Sequence, residues 1–249
     1  MTIRILSYNI KRGGTGREEA LQRVISACAP DLVVLQEATS PIVVERVARG
    51  TGMSQSGCVS GQSLAFMSRI PIARHAWHRP RLSRHAFLEV VPAGAPFCVF
   101  GMHLSAVHAA WTEQRRVYEL RALLRSVDQH KDRFHVLAGD FNTVAPGDPF
   151  AVSRLPMRYR PLMWLSGGSV RWRTIQTVLD AGYADTFKAL HPHQPGLTLP
   201  ASDPHIRLDY VFVPEGELTR VLACDVVKNP PAAEASDHLP VVADFRLDD

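Results

Sequence analysis

The chain has 249 residues, of which 46% are hydrophobic and 21% charged, enough to bury a sizeable core and too apolar for a disordered segment. Its apolar runs, such as Leu32 to Leu35 and Val211 to Val213, fall far short of the roughly 20 residues that span a bilayer. The net charge of +4 is a modest bias toward anionic partners. Cys28, Cys58, Cys98 and Cys224 lie far apart without paired spacing, which argues against a zinc cage or a disulfide framework. The opening MTIRILSYNI alternates like a strand and lacks the apolar stretch and cleavage site of a signal peptide, so a cytoplasmic protein is expected. No repeat or low-complexity linker divides the chain, and residues 1–249 read as a single domain.

In chain order, Ile3 to Tyr8 reads as a strand, Gly13 to Gly16 as a turn, and Arg17 to Cys28 as a helix with Ala20, Leu21, Val24 and Ile25 on its apolar stripe. Pro30 stops that helix, and Asp31 to Gln36 has the continuous apolar character of a strand buried on both faces. Strand, helix and strand at this length imply a parallel pair. A helix from about Pro41 to Arg49 precedes strands at Ser63 to Ser68, Ile72 to Trp77, Ala86 to Val91 and Phe97 to His103. Trp111 to Val127 reads as a helix and Phe134 to Ala138 as a strand. Pro146 to Leu190 reads as loop and short helix, and the chain ends in strands at Arg207 to Val213, Leu218 to Val227 and Pro240 to Phe245. This succession predicts an α/β fold of two mixed sheets packed face to face with helices outside.

The polar residues at the ends of these strands carry the chemistry. Asn9 and Glu37 close two neighbouring parallel strands, where open α/β sheets bind ligands. Asp140 and Asn142 follow a third strand and, two apart in extended chain, are expected to face the same way. Asp209 and the pair Asp237-His238 stand at the beginnings of late strands, and if those run antiparallel to the early ones, all these groups meet on one rim. A set rich in carboxylate and carboxamide oxygen, without cysteine, suits Mg²⁺ or Mn²⁺ better than zinc. Metal-assisted phosphoester hydrolysis is the reaction class such a set serves. Taken singly each residue has an ordinary alternative: Asn9 in a turn, Asp209 paired with Arg207, Ser236-Asp237 as a cap, His103 as a satisfied core histidine.

Taken together, Ser7-Tyr8-Asn9, Leu35-Gln36-Glu37, the stretch GQSLAFMSRIP from Gly61 to Pro71, Met102-His103-Leu104, Gly139-Asp140-Phe141-Asn142, Arg207 to Phe212 and Ser236-Asp237-His238-Leu239-Pro240 resemble the endonuclease/exonuclease/phosphatase superfamily. The match runs from Ile5 to Phe245. The resemblance implies a four-layer α/β sandwich with Glu37, Asn9 and Asp237 as ligands of a Mg²⁺ ion, for which Mn²⁺ is a possible substitute. It implies that Asp140 orients or deprotonates the attacking water, that Asn142 contacts the phosphate and that His238 stabilises the transition state. His103 is similar to a second histidine near the leaving group, and Asp209 to a carboxylate that raises the basicity of a histidine. The segment Gly196 to Tyr210 departs from bacterial AP endonucleases in having no Trp or Phe, which speaks against abasic-site specificity. The chain also lacks the extra glutamate near Gln62-Ser63-Leu64 and the disulfides of pancreatic-type deoxyribonucleases.

Arginine supplies 24 of the 28 basic residues. Two stretches lack acidic residues altogether. Glu45 to Glu89 encloses Arg46, Arg49, Arg69, Arg74, Arg79, Arg81 and Arg84, and Asp148 to Asp180 encloses Arg154, Arg158, Arg160, Arg171 and Arg173 among Tyr159, Trp164 and Trp172. Arginine mixed with aromatics suits a polyanion with stackable bases, and Arg171, Trp172 and Arg173 are the substrate-binding candidates. The ordinary alternative is a solvated basic face with loop anchors. The reading is a metal-dependent phosphodiesterase acting on DNA or RNA, with no stable protein partner implied and expected to be monomeric. The alternative is a phosphatase or phosphodiesterase acting on a small or lipid phosphate, inositol-phosphatase-like or sphingomyelinase-like, with Pro161 to Leu165 as its apolar loop. A non-catalytic module that kept the fold is disfavoured because Glu37, Asp140 and His238 are all present.

Overall fold

The computed structural model describes all residues except 82, 84, 107–109, 128–132, 155–156, 158–159, 162–171 and 248–249. Twelve strands are found among the described residues, in two mixed sheets of six. The first sheet has the order β11-β12-β1-β2-β4-β3, from β1 (Thr2–Asn9), β2 (Leu32–Gln36), β3 (Gln55–Cys58), β4 (Leu64–Ser68), β11 (Val221–Val226) and β12 (Val241–Arg246). The second has the order β5-β6-β7-β8-β10-β9, from β5 (Ile72–His78), β6 (Phe87–Pro92), β7 (Phe97–His103), β8 (Phe134–Asp140), β9 (Tyr183–Asp185) and β10 (Asp209–Pro214). β1 and β2 are parallel, as are β7 and β8, whereas β12 runs antiparallel to β1 and β10 antiparallel to β8.

The sequence dictates four layers because each central strand is apolar on both faces. Ile3 and Ile5 of β1, Leu32 and Val34 of β2, and Leu64 and Phe66 of β4 meet Val99, Val136, Ala138 and Val211 of the other sheet in the core between the sheets. The intervening residues Leu6, Tyr8, Val33 and Leu35 face outward. They pack against α1 (Glu18–Cys28), α2 (Pro41–Gly50) and α6 (Pro230–Ala235). On the far side, Phe100, Leu137 and Phe212 pack against α3 (Ala110–Val127) and α4 (Arg173–Asp180). A fifth short helix, α5 (Thr186–Leu190), sits beside β10 and adds Phe187 to the central core. Pro at the first turn starts α2, and the left-handed Ala29, whose N–H bonds the carbonyls of Ile25 and Ser26, ends α1 just before Pro30.

The structure differs from the sequence reading in three elements. Leu218 to Val227 is not strand throughout: Glu215–Arg220 is a 3₁₀ turn, and the strand begins at Val221. Gln55–Cys58 forms an edge strand that its polar sequence does not announce, and Tyr183–Asp185 forms another inside the stretch read as loop and short helix. No described helix is long and apolar enough to cross a membrane.

Candidate active site

The two-residue period of the strands places the site. In β1 the row Ile3, Ile5, Ser7, Asn9 faces the space between the sheets; in β7 the row is Phe97, Val99, Gly101, His103; in β8 it is Phe134, Val136, Ala138, Asp140; in β10 it is Val213, Val211, Asp209. Each row is apolar in the core and turns polar at the same end of the sandwich. Because β10 is antiparallel to β8, the first residue of one meets the last of the other, and Asp209 lies directly across from Asp140. His103 lies opposite Asp140 on the other flank, in the parallel register of β7 and β8. The expectation that late strands bring their starts to the ends of early ones therefore describes the molecule.

Asp140, Asp209 and His238 are all buried, each offering a ligand-type atom within 4.8 Å of the others. The Nδ1 of His238 is 2.8 Å from the Oδ2 of Asp209, while its Nε2 is 3.9 Å from the Oδ2 of Asp140. The Nε2 of His103 is also 3.9 Å from that same oxygen. Ser63 Oγ is hydrogen-bonded to the Nδ1 of His103, and His85 stacks on the ring with centroids 4.9 Å apart. Asn9 donates its Nδ2 to Asp140 Oδ2 at 3.0 Å and lies 3.5 Å from Glu37 Oε1. Asp209 thus pairs with His238, whereas Arg207 is buried between Asp148 and Asp185, each 2.7 Å away.

These contacts set the electrostatics. Burial raises the Asp140 carboxyl, and the like charge of Asp209 raises it further. His238, the Asn142 backbone N–H and Asn9 oppose the rise, leaving it pushed up to about 7. For His238 burial acts to lower the imidazole, but the charge and hydrogen bond of Asp209, followed by Asp140 and Asp237, outweigh it and raise it to about 10. The pair is thus a carboxylate poised near neutrality beside an imidazolium.

Local backbone geometry makes the arrangement possible. Gly139 has φ +155°, and a Cβ there would sit 2.0 Å from the carbonyl oxygen of Met102, so only glycine lets β8 approach β7 this closely. Asn142 is left-handed at φ 53°, which replaces the extended geometry expected for Asp140 to Asn142. The turn brings the Asn142 N–H to Asp140 Oδ1 at 2.8 Å, and the Asn142 Nδ2 donates to the Leu104 carbonyl at 3.0 Å. Glu37 is likewise left-handed, at φ 55°.

The site also contains groups that sequence reasoning missed. The backbone N–H of Arg12 donates to Glu37 Oε2 at 2.6 Å, and Lys11 Nζ lies 3.2 Å from Asp237 Oδ2. Ser236 Oγ donates to the Asn9 carbonyl at 2.6 Å, tying the turn before β12 to the end of β1. Beneath Asn9, Gln36 donates to Ser7 Oγ at 3.2 Å. The adjacency of Lys11 and Arg12 to Asn9 was the available signal. Of the proposed metal ligands, Glu37 and Asn9 are brought together, while Asp237 faces Lys11. Trp172 is exposed and precedes Arg173, the first residue of α4; Arg171 lies outside the described residues.

The acid-free stretches are less bare in three dimensions than in sequence. Arg46 pairs with Glu18 at 3.1 Å, Arg49 with Glu45 at 2.8 Å, Arg74 with Glu89, and Arg154 with Asp203. Arg84, Arg158, Tyr159 and Trp164 lie outside the described residues, as do positions 162–165 of the candidate lipid-facing loop.

The layers and strand order are those of the DNase I-like α/β sandwich. The chain belongs to the Endonuclease/Exonuclease/phosphatase family, whose model matches residues 6–238 and whose members hydrolyse phosphoester bonds with divalent metals. Among solved structures it is similar to an AP endonuclease from Archaeoglobus fulgidus, with TM-score 0.74 and 18% identity over 98% of this chain and 99% of that one. It is also similar to a 3′ phosphatase from Neisseria bound to a product DNA hairpin, with TM-score 0.71 and 19% identity over 98% and 99% of the two chains. An endonuclease/exonuclease/phosphatase protein from Beutenbergia cavernae gives TM-score 0.68 and 23% identity over 99% of this chain and 72% of that one. No curated protein matches the sequence.

Proposed function

We propose that the chain, acting as one catalytic domain, is a Mg²⁺-dependent phosphodiesterase that hydrolyses nucleic acid, most directly DNA. The observation that carries the chemistry is Asp140 set 3.9 Å from the Nε2 atoms of both His238 and His103, with His238 anchored at 2.8 Å by Asp209. A phosphodiester anion repels hydroxide, so hydrolysis needs positive charge at the non-bridging oxygens and an aligned water. Asp140, raised to about 7, accepts the proton of that water near neutral pH. His238 stays protonated through the same range and donates to a non-bridging oxygen, while Asp209 fixes its ring and charge. His103, held by Ser63, faces the leaving oxygen.

The donor set fits a hard cation. His238 Nδ1 is already taken by Asp209 at 2.8 Å, so we assign the Asp140, Asp209 and His238 cluster to acid–base chemistry as a hydrogen-bonded ion triad. Glu37, with the Asn9 amide beside it, is the oxygen set that would hold the ion, with Asp237 as the third candidate. When bound, Mg²⁺ or Mn²⁺ would supply Lewis-acid charge at the phosphate. The nucleic-acid substrate rests on the Arg and Trp residues around Trp172 and Arg173. Nicking of supercoiled plasmid with Mg²⁺, Mn²⁺ or EDTA, alongside His238→Ala, tests this reading. Metal-dependent nicking that disappears in the variant supports it; no nicking by folded protein removes general endonuclease action and turns the search to small phosphoesters.

A further inference from the structure

The outer helix α3 separates its charges between two faces. Its carboxylates, Glu113 and Glu119, are both buried, at 2% and 3% exposure. Glu113 lies 2.7 Å from Arg116 and accepts from the Thr174 N–H at 2.7 Å and from the hydroxyl of Thr143, the residue after Asn142. Glu119 accepts from the N–H of Ser105 at 3.2 Å and from its hydroxyl at 3.1 Å, two residues beyond His103. What α3 leaves exposed among its described residues is Trp111, Gln114, Arg115, Tyr118, Arg121 and Arg125. That set holds two aromatic rings and three guanidiniums, and no acid. Along the chain Glu113 and Glu119 interrupt the pattern; folding takes them off the surface.

This face starts at the reacting centre. α3 is the crossover between parallel β7 and β8, so it begins at the end of β7 where His103 stands and runs back along the outside of the sheet. Trp111 is therefore at the site end, with Arg125 about 21 Å further on at about 1.5 Å per residue. Trp111 is 58% exposed and Tyr118 41%, much aromatic surface to leave in water. Tyr118 donates its hydroxyl to the Arg81 carbonyl at 2.6 Å, which brings the exposed Arg81, from one of the acid-free stretches, beside the helix. Glu113 holds the N–H of Thr174, two residues after the exposed Trp172, so the two tryptophans stand at adjoining helix starts. Arg121 and Arg125 have no ion-pair partner among the described residues, and Arg115 has the buried Glu119 at 4.0 Å.

We propose that the exposed face of α3, with Trp111 and Trp172 at its head, binds an unpaired nucleic-acid strand running on from the reacting phosphate. This rests on the nucleic-acid substrate of the reading above and deepens it, since the preferred substrate then carries a single-stranded extension. Exposed rings stack on bases of any sequence, and the guanidiniums interleaved with them meet the phosphates between those bases. A duplex keeps its bases stacked on one another and offers the rings no free base. A merely solvated basic face does not call for exposed tryptophan, and the unopposed arginines select a polyanion. Because Glu113 and Glu119 tie the helix to Thr143 and Ser105, the strand would be held in fixed register with the reacting centre.

The test is binding, read by fluorescence anisotropy in EDTA with the full chain so that nothing is cleaved. The probes are a labelled single-stranded oligonucleotide, the same sequence as a blunt duplex, and an abasic strand of equal length that keeps the phosphates without the bases. The wild type should bind the single strand more tightly than the duplex. Trp111→Ala should weaken binding of the base-bearing strand about tenfold and leave the abasic strand nearly unchanged. The double variant Arg121→Gln, Arg125→Gln should weaken both single strands and make the salt slope shallower by about 1.4, at about 0.7 for each lost phosphate contact. Wild-type affinity for the single strand in both variants would overturn the proposal, as would a Trp111→Ala loss of equal size on the abasic strand. If Trp111→Ala instead abolishes self-association of the wild type, or its binding to phosphatidylglycerol vesicles, with strand affinity unchanged, the face belongs to a second copy or to lipid and the proposal fails. A wild type that binds no strand would remove the nucleic-acid substrate and this proposal together, whereas strand binding without plasmid nicking would strike the nuclease activity alone.

Discussion

Replacing Asp209 with Asn keeps the shape of the side chain and removes its charge from a buried pair. The lost contact is the 2.8 Å bond to His238 Nδ1, with both partners buried. Breaking a buried charge pair costs about 3 to 5 kcal/mol, and the isosteric amide, which can still hydrogen-bond, belongs at the lower end. Because His238 acts on charge that develops only in the transition state, loss of its fixed partner is expected separately to lower kcat by about a hundredfold, roughly 3 kcal/mol. The pH profile discriminates further. In the wild type, activity rises as Asp140 ionises near 7 and falls as His238 loses its proton near 10. After burial, Asp209 is the largest cause raising each of these groups. Asp209→Asn should therefore move both limbs to lower pH, with the largest loss of activity on the alkaline side. Initial rates of phosphodiester cleavage at saturating Mg²⁺, followed from well below the ionisation near 7 to well above the one near 10, measure both effects. A variant with wild-type kcat, or with reduced kcat and unmoved limbs, would refute the role given to this pair.

Asp140→Asn should abolish hydrolysis yet melt at a higher temperature. The folded-state carboxyl is raised from 3.8 to about 7, so the folded protein holds that proton more tightly than the unfolded chain and loses stability as pH rises through that interval. The gain in the variant should thus be larger at pH 8 than at low pH, and an equal or lower melting temperature at pH 8 would contradict the electrostatic account. Glu113→Leu should destabilise the fold by about 3 kcal/mol in urea titration, because it removes a buried carboxylate 2.7 Å from the buried Arg116 guanidinium. The same change removes the Glu113 bond to the Thr174 N–H at 2.7 Å that ties α4 to α3. Gly139→Ala should fail to accumulate as folded protein, since its Cβ would meet the Met102 carbonyl; a soluble variant with native circular dichroism would show that β7 and β8 can separate. Affinity for oligonucleotide should fall steeply with salt as counterion release weakens, and a flat salt response would favour the small-phosphate alternative.

Much of this molecule could be read from patterns that local physics enforces. The alternation in Ile3, Ile5, Ser7 and Asn9 and in Phe134, Val136, Ala138 and Asp140 identifies both the strand and the face on which the polar residue emerges. Strand polarity then brings Asp209 and His238 to Asp140. Features set by loop conformation were not legible. Asn142 turns left-handed because its N–H and side chain are both claimed, by Asp140 and the Leu104 carbonyl. Asp237 meets Lys11 because the β1 to α1 turn is left-handed from Lys11 onward, which no alternation announces. The short strands β3 and β9 are edge strands, held by pairing with β4 and β10 rather than by an apolar face of their own. The arginine stretches look unbalanced only along the chain, since Glu18, Glu89 and Asp203 reach them through the fold.

The geometry also divides labour between the reacting groups and those that choose a substrate. Asn9, His103, Asp140 and Asp209 are terminal residues of strands whose inward-facing rows are locked in the core between the sheets. Burying two carboxylates within reach of one imidazole is costly, and a rigid two-sheet scaffold is what holds them there against their repulsion. Trp111, Trp172 and Arg173 stand instead at helix starts, where a change of side chain leaves the core untouched. Substitution at the strand ends should therefore change kcat whatever the phosphoester, whereas substitution at the helix starts should change which phosphoester is bound. The left-handed residues Lys11, Arg12, Glu37 and Asn142 lie in the turns around the reacting groups, so strain is concentrated in the backbone that holds those groups together.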